Sequence, residues 1–402
     1  MNRRNTRRRK NIIPGIDNKV FFAIIIVSVL IILICLGVLL SKHYRNKKNA
    51  AIESKKSNDE IEKIYQETNN EIGSADNYQT DKIIRLSFVG DTFFNSQMKS
   101  GNDNYDSIFT DAKEQLKDAD LAIGTYSANI QTDDEKSFAK SVFNSGIDLL
   151  SLASNPGRND NDYISEKKNN LNEIGFDTIG EYEESVENRV KIIEKKGVKI
   201  AVIAYMQDSN ETGLNNYDSN KIQEDINYAK QNANFTIALI SWKNSKSTNV
   251  SDSQKSIAQD IISKGANIVI GTNSYCLQKF QMTENEKGQA FIAYSVGNYI
   301  QTNSNENLKL EMILNLQIYV DKNGNSQIYK VDYVPMYMYQ SKDDFRVMNI
   351  KQEILNYEKQ IENQNETQEK NEIDRTEIVD DKTYKLLTNG NNQIKKILDV
   401  EQ

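Results

Sequence analysis

The sequence predicts an α/β domain between residues 81 and 350, with sheets buried between helices. Three observations support this fold class. Short apolar runs rich in Ile, Val and Ala recur along this stretch, more polar segments with the spacing of amphipathic helices separate them, and Gly- or Asp-containing turns follow several runs. Apolar strands that alternate with helices are typical of α/β domains.

The pattern places the elements in order along the chain. Strands are expected at residues 83–90, 119–124, 146–153, 175–180, 198–205, 235–242, 266–272 and 290–300. Helices are expected at residues 106–117, 163–174, 220–231 and 253–264. Residues 308–320 and 327–339 flank the turn sequence KNGN and predict an antiparallel hairpin that closes the domain. Residues 351–402 predict a polar helical extension, which comprises a peripheral helix, a mobile acidic segment and a final helix near 392–400.

The first 80 residues predict a membrane anchor and a stalk. Residues 20–40 are 21 consecutive uncharged and mostly apolar residues, enough to cross a bilayer core as a helix. The basic segment 1–19 favours a cytoplasmic N-terminus, and the polar segment 41–80 is typical of a stalk. We therefore expect a single-pass protein of the cell membrane, with the bilayer as partner of residues 20–40 and the domain outside the cell.

Charge is unevenly distributed. Residues 1–50 carry eleven Lys and Arg against one acid, and the whole chain has a net charge of −7, so residues 51–402 carry about −17. A negative domain repels polyanions, and nucleic acid is therefore not an expected partner. The two cysteines are Cys35 in the apolar segment and Cys276 in the domain, which excludes a disulfide within the domain.

The chain has one histidine, His43, beside the apolar segment, and thus none in the α/β domain. This excludes a Ser-His-Asp triad there, and CxxC, HExxH and Gly-rich phosphate motifs are also absent from the sequence. Asp and Glu are plentiful, so a paired-carboxylate glycosidase stays open, although no spacing singles out a pair.

Sequence blocks at the strand ends carry a family resemblance. They are VGDTFF (89–94), DADLAIG (118–124), GIDLLSLASN (146–155), GFDTIG (175–180), GVKIAVIAY (197–205), IALISW (237–242), GANIVIGTNSY (265–275) and AYSVGNYI (293–300). In this order they resemble the CapA-type capsule and poly-γ-glutamate synthesis proteins over roughly residues 82–350. That family's domain is similar to a calcineurin-type metallophosphoesterase, which implies an α/β/β/α sandwich.

The resemblance also implies a metal site, from which this sequence departs. Among the expected metal-binding positions only Asp91 and Asn155 keep the family residue, as vestigial ligands. The segment Thr125–Ser127 replaces Asn-Leu-Glu, and the expected histidines are replaced by Pro156, Ser241, Asn273 and Tyr275. A two-metal hydrolase needs several carboxylate or imidazole ligands. We therefore expect neither a bound metal nor another cofactor.

We expect a cleft formed by Asp91, Asn155, Ser241, Trp242, Asn273, Tyr275 and Asn298. For individual residues two interpretations stay open. Asp91 is either a ligand-binding carboxylate or a turn residue, and Asn155 either bonds a ligand or serves the turn before Pro156. Trp242 either stacks on a sugar ring or packs against neighbouring loops, and Tyr126 and Tyr275 fill the space of the lost metals.

Three functions remain. The favoured one is a non-catalytic accessory protein that handles capsule or poly-γ-glutamate polymer, with membrane synthase subunits or an anionic or saccharide envelope polymer as partners. The second is an active metal-dependent phosphoesterase-like hydrolase with a rearranged site around Asp91, which requires further carboxylates nearby. The third is a purely structural envelope protein whose former cleft is filled by side chains.

Overall fold

A computed structural model describes residues 82–98, 105–154, 160–207, 212–243, 246–302, 305, 308–341, 345–366 and 379–398. The predicted tail, anchor and stalk at residues 1–80 lie outside these ranges, as does Asn155. Within the described ranges, no helix is both long and apolar enough to span a bilayer. The anchor and its orientation therefore stay predictions.

The described strands form two sheets. In chain order they are β1 (Lys82–Thr92), β2 (Leu121–Tyr126), β3 (Leu149–Ser151), β4 (Asp177–Ile179), β5 (Lys191–Lys195), β6 (Val198–Met206), β7 (Phe235–Ser241), β8 (Ile268–Thr272), β9 (Leu277–Asn285), β10 (Gly288–Val296), β11 (Asn298–Ile300), β12 (Leu310–Val320), β13 (Ser326–Gln340) and β14 (Phe345–Asn349). The first sheet has the order β14-β13-β12-β1-β2-β3-β4, with β11 beside the end of β1. The second sheet has the order β5-β6-β7-β8-β10-β9.

Parallel pairing determines where the polar strand ends lie. Strands β1 to β4 are parallel in the first sheet, and β6, β7, β8 and β10 are parallel in the second. Antiparallel strands complete both sheets: β12, β13 and β14 in the first, and the edge strands β5 and β9 in the second. The carboxyl ends of parallel strands meet at one edge of a sheet, where α/β proteins commonly place their sites.

Helices connect and cover the strands. The described α-helices are α1 (Thr110–Leu116), α2 (Asp133–Asn144), α3 (Asn161–Ile174), α4 (Val186–Arg189), α5 (Ser219–Asn232), α6 (Asp252–Lys264), α7 (Ile350–Glu366) and α8 (Asp381–Leu398). Helix α2 begins with a capping box in which Thr132 and Glu135 exchange side-chain to backbone hydrogen bonds. Helix α6 begins in the same way at Ser251 and Gln254.

The core follows the alternation of the strands. On β6, Ile200 and Val202 belong to one continuous buried cluster with first-sheet residues such as Leu86. The intervening Ala201 and Ile203 belong to a second cluster, formed with the apolar faces of α5 and α6. The protein is therefore a mixed α/β fold of two sheets flanked by helices, as the sequence predicts.

Some elements differ from the sequence-based expectation. The sequence pattern does not predict strands β5 and β9 or helix α2, because β5 and β9 are mixed-polarity edge strands and α2 is rich in charge. The expected strand 290–300 is divided at Gly297, which has φ +77°. Helix α8 begins at Asp381 rather than near residue 392, and Leu387 and Ile394 bury it in the main core. The polar composition of this segment conceals its buried face.

Candidate functional site

The site lies where strand ends of the two sheets meet. Asp91 stands near the end of β1, opposite Asn298 of β11 in the parallel register. Asn273 and Tyr275 lie just after β8 in the second sheet, and Ser241 ends β7 opposite Thr272. The fold thus brings together five of the residues that the sequence singled out, although they come from separate parts of the chain.

Asp91 is the hydrogen-bonded centre of this cluster. Its side chain is fully buried. The Ser127 hydroxyl donates to Asp91 Oδ1 at 3.0 Å, and the backbone N–H of Asn273 donates to Asp91 Oδ2 at 2.6 Å. Burial raises the pKa of Asp91 to about 6, and the two hydrogen bonds act in the opposite direction. The carboxyl group therefore joins the loop after β2 and the loop after β8 to the end of β1.

Further hydrogen bonds hold the loop after β8. Asn273 Nδ2 donates to the carbonyl of Trp242 at 2.6 Å, and Asn298 Nδ2 donates to the carbonyl of Tyr275 at 3.0 Å. Asn273 and Tyr275 have positive φ angles of 63° and 57°. Asparagine tolerates such an angle, whereas it is unfavourable for a bulky residue such as Tyr275. The side chains of Asp91 and Asn298 thus stabilise a strained loop.

Trp242 does not line a cleft. Its side chain is 1 % exposed, and its indole Nε1 donates to the carbonyl of Tyr294 at 2.5 Å. Stacking of Trp242 on a sugar ring is therefore incompatible with this structure. The sequence left packing against neighbouring loops as the other interpretation, and the buried indole instead packs against the carbonyl of Tyr294 on β10. Gly271 makes this arrangement possible, since a Cβ atom there would lie 2.1 Å from Trp242 Nε1.

The motif glycines of the GD and SVGN blocks pack against each other. A Cβ atom at Gly90 would lie 2.0 Å from the carbonyl oxygen of Gly297, far inside contact distance. The two backbones therefore approach closely just before Asp91 and Asn298. This contact fixes the register that places Asp91 opposite Asn298.

Lys167 is a buried cation that the sequence pattern does not predict. It lies on α3 and is 1 % exposed. Its Nζ donates to the carbonyl of Tyr126 at 2.8 Å and lies 5.3 Å from the centre of the Tyr126 ring. Burial lowers the pKa of Lys167 to about 7. No sequence signal distinguishes it from the neighbouring Lys168, which forms an ion pair with Glu181.

A pocket of about 340 Å³ opens beside the buried cluster. Of the predicted cleft residues, Tyr275 lines it. The other lining residues are Phe93, Phe94, Asn95, Met98, Lys246, Gln301 and Thr302. Most of them follow directly after Asp91 or after the SVGNYI block, so proximity to these motifs could have identified them. Asp91, Ser241, Trp242, Asn273 and Asn298 are buried rather than part of the pocket wall.

The donor set does not fit the two-metal centre that the resemblance implies. Among the described residues, no three His, Cys, Asp or Glu side chains come together in a way that could hold a metal ion. Asp91 is engaged by Ser127 and Asn273, and the nearby buried oxygens without a protein partner in the described part are neutral hydroxyl and amide groups: Thr92 Oγ1, Ser241 Oγ, Asn273 Oδ1 and Asn298 Oδ1. Neutral oxygens of this kind are weak ligands for transition metals.

Solved structures with a partial likeness to this chain include two nucleotidases. A hypothetical protein from Thermus thermophilus is 12% identical, with 63% of this chain and 98% of that chain covered and a TM-score of 0.44. NAD nucleotidase from Haemophilus influenzae is 12% identical, with 79% and 61% covered and a TM-score of 0.40. The 5'-nucleotidase from Candida albicans is 10% identical, with 61% and 53% covered and a TM-score of 0.37.

Matches found by sequence identify a family, which the likeness to solved structures does not. The capsule biosynthesis protein CapA of Bacillus anthracis is 22% identical over an alignment of 258 residues, with 56% of this chain and 61% of that protein covered. The chain therefore matches less than two thirds of this relative's length. Residues 85–303, more than half of the chain, match the family described as bacterial capsule synthesis protein PGA_cap. This span includes every block that carries the resemblance, from the GD of β1 to the SVGN before β11, and the chain belongs to the PGA_cap family of bacterial capsule synthesis proteins.

Proposed function

We propose that this protein is a membrane-anchored, non-catalytic accessory protein of capsule or poly-γ-glutamate type polymer synthesis. Its α/β domain, which we take to be metallophosphoesterase-like, acts on the outer side of the cell membrane. Residues 20–40 anchor it in the bilayer with the N-terminus in the cytoplasm, and it works beside membrane synthase subunits. Membership of the capsule synthesis family supports the biological process.

One observation carries the non-catalytic part of the proposal. Both carboxylate oxygens of Asp91 accept hydrogen bonds from the protein, from Ser127 and from the Asn273 backbone. A catalytic metal pair needs charged ligands that converge on the ions and lower the pKa of a bridging water. Here the carboxylate instead connects loops of the two sheets. We therefore propose that hydrogen bonds have taken over the structural part of the metals' role, and that no metal cofactor is needed.

The two alternatives receive less support. A rearranged hydrolase around Asp91 needs additional carboxylates, and the described residues contain no group of three suitable ligands. A purely structural protein should have its former cleft filled by side chains. The pocket of about 340 Å³ beside Tyr275 favours a binding role over that third function.

A paired genetic and biochemical experiment tests the proposal. Deletion of the gene should reduce the polymer on the cell surface, and the wild-type chain and Asp91→Asn should both restore it. Purified full-length protein should contain no stoichiometric transition metal and should not hydrolyse p-nitrophenyl phosphate. Metal-dependent turnover that Asp91→Asn abolishes would instead establish the hydrolase.

A further inference from the structure

We propose that the pocket beside Tyr275 binds a carboxylated sugar, a hexuronate unit of a polysaccharide. This inference rests on the proposed function, since it names the class of polymer that the accessory domain contacts. The pocket volume of about 340 Å³ is large enough for one or two sugar residues but small for a long polymer segment.

Aromatic rings form one part of the pocket wall. Phe93, Phe94 and Tyr275 line it and are each partly exposed. The centres of the Phe93 and Tyr275 rings are 5.4 Å apart, and their planes are inclined by 35°. A pyranose ring presents a flat face of C–H groups, which packs well on such rings. Aromatic side chains provide large contact areas with little loss of side-chain entropy.

Buried hydrogen bonds hold Tyr275, which belongs to this wall, in place. Asn298 Nδ2 binds the carbonyl of Tyr275, and Asp91 binds the N–H of Asn273 two residues earlier. These buried bonds maintain the left-handed backbone at Asn273 and Tyr275. The buried cluster around Asp91 thus acts as a support that positions Tyr275. Preorganisation of this kind lowers the entropy lost on binding.

Polar groups that suit sugar hydroxyls also line the pocket. Gln301 is 7 % exposed, and its Nε2 donates to the carbonyl of Leu308 at 2.7 Å, which fixes its amide and leaves Oε1 as an acceptor. Asn95 Nδ2 donates to Thr302 Oγ1 at 3.2 Å. Fixed amide and hydroxyl groups together with aromatic rings are the usual features of a small polar-ligand site.

Lys246 selects an acidic sugar over a neutral one. It is the charged residue among those that line the pocket, and its Nζ lies 5.9 Å from the centre of the Tyr275 ring. A carboxylate on a sugar stacked against Tyr275 would be within reach of this ammonium group. Asp91 acts electrostatically on Tyr275, but both of its carboxylate oxygens already accept hydrogen bonds, from Ser127 and from the Asn273 backbone. More distant acids are screened beyond about 8 Å at physiological salt. The local lysine therefore dominates at the pocket.

A γ-linked glutamate chain fits these features less well. Its carboxylates would satisfy Lys246, but its flexible methylene backbone offers no flat face to Phe93 and Tyr275. It would also lose more conformational entropy when ordered in the pocket. The rings therefore favour the hexuronate, and γ-linked glutamate becomes a competing outcome of the test.

Calorimetric titration of the full chain in detergent micelles tests this inference. The probes are α-1,4-linked trigalacturonate, its fully methyl-esterified form and γ-linked triglutamate. We expect wild type to bind the acid about five- to tenfold more tightly than the ester, as one charge-assisted contact would give. Lys246→Gln should remove this preference. Lys255→Gln, an exposed lysine on α6 that pairs with Asp252, is the matched control and should leave it unchanged.

A second variant tests the aromatic wall without disturbing the backbone. Asparagine tolerates a positive φ, so Tyr275→Asn removes the ring but keeps the loop conformation. This variant should weaken the binding of trigalacturonate and of its methyl ester by a similar factor. The inference is overturned if trigalacturonate does not bind, if triglutamate binds more tightly, or if Lys246→Gln keeps the preference for the acid.

Failure of this inference can be separated from failure of the proposed function. If trigalacturonate does not bind but loss of the gene still reduces surface polymer, the ligand is wrong and the accessory role stands. If trigalacturonate binds in a Lys246-dependent way but surface polymer is normal without the gene, the ligand is right and the accessory role is wrong.

Discussion

The backbone N–H of Asn273 donates a hydrogen bond to Asp91 Oδ2 across 2.6 Å, and the two residues are 182 positions apart in the chain. Asp91 belongs to the first sheet, and Asn273 follows a strand of the second sheet. Ser127, which follows β2, donates to the other oxygen of the same carboxylate. One buried side chain therefore connects three strand ends.

Asp91→Ala should destabilise the protein by about 2–4 kcal/mol, because it leaves two buried donors without an acceptor. Asp91→Asn should have a much smaller effect. Its amide oxygen can accept from the Asn273 N–H while its Nδ2 donates to the Ser127 hydroxyl. Chemical denaturation of the two variants measures the difference. Equal destabilisation by both would contradict the connecting role of the hydrogen bonds.

Asp91 should also make stability depend on pH. The unfolded carboxyl titrates near 3.8, whereas burial raises the pKa of Asp91 to about 6 in the folded protein. Between these values the folded chain holds a proton that the unfolded chain has lost. The free energy of unfolding therefore falls as pH rises through this window, by on the order of 3 kcal/mol.

The difference in unfolding free energy between wild type and Asp91→Asn isolates the contribution of Asp91 from that of other groups. One such group is the buried Glu311, since burial raises its pKa as well. Wild type should lose stability relative to the variant from pH 4 to pH 6, and the difference should then level off. A constant difference over that range would mean that Asp91 keeps an ordinary pKa.

Lys167 should have the opposite pH dependence. Burial lowers the pKa of Lys167 from 10.5 to about 7, so the charged lysine destabilises the folded state below neutral pH. Above pH 7 the unfolded chain binds a proton that the folded chain lacks, and this contribution to stability rises with pH until about 10.5. Lys167→Met should therefore stabilise the protein most at pH 6, by about 1–3 kcal/mol, and less at pH 9.

Lys167→Met should fold, because the Tyr126 carbonyl keeps the hydrogen bond from Ser154 Oγ at 3.2 Å. Lys168→Met is the matched control on the same helix. Lys168 is partly exposed and paired with Glu181, so its replacement should give no gain at pH 6. Destabilisation of Lys167→Met at every pH would indicate that the buried amine is required for packing.

Gly271→Ala should displace the only tryptophan of the chain. The new methyl group would lie 2.1 Å from both Trp242 Nε1 and the Tyr294 carbonyl oxygen, where it breaks their hydrogen bond. We expect about 2–4 kcal/mol of destabilisation and a red shift of tryptophan emission as the indole becomes hydrated. Met282→Ala, an exposed change on β9 of the same sheet, should leave the emission unchanged. An unshifted spectrum for Gly271→Ala would contradict the packing of Trp242.

Local patterns explain which elements could be predicted. Strands such as β6 and β7 are continuous apolar runs, because both of their faces are buried, and the sequence identifies them directly. Strand β9 has no such signal, because it is an edge strand with a polar composition and several exposed residues. The pattern predicts helix α8 too short, since its buried face is formed by a few widely spaced residues, among them Leu387 and Ile394.

The sequence by itself determined the family and the α/β fold class, and it shows that the domain contains no histidine. These features depend on local residue order and on composition, which the sequence shows directly. Tertiary structure decided which motif residues are buried, which line the pocket and which form hydrogen bonds with each other. It buried Trp242, placed Tyr275 in a pocket wall, and brought Ser127 and the Asn273 backbone onto Asp91. It also placed Lys246 in that pocket and buried Lys167. Contacts between strand ends of different sheets depend on packing over long sequence separations, which no local pattern encodes.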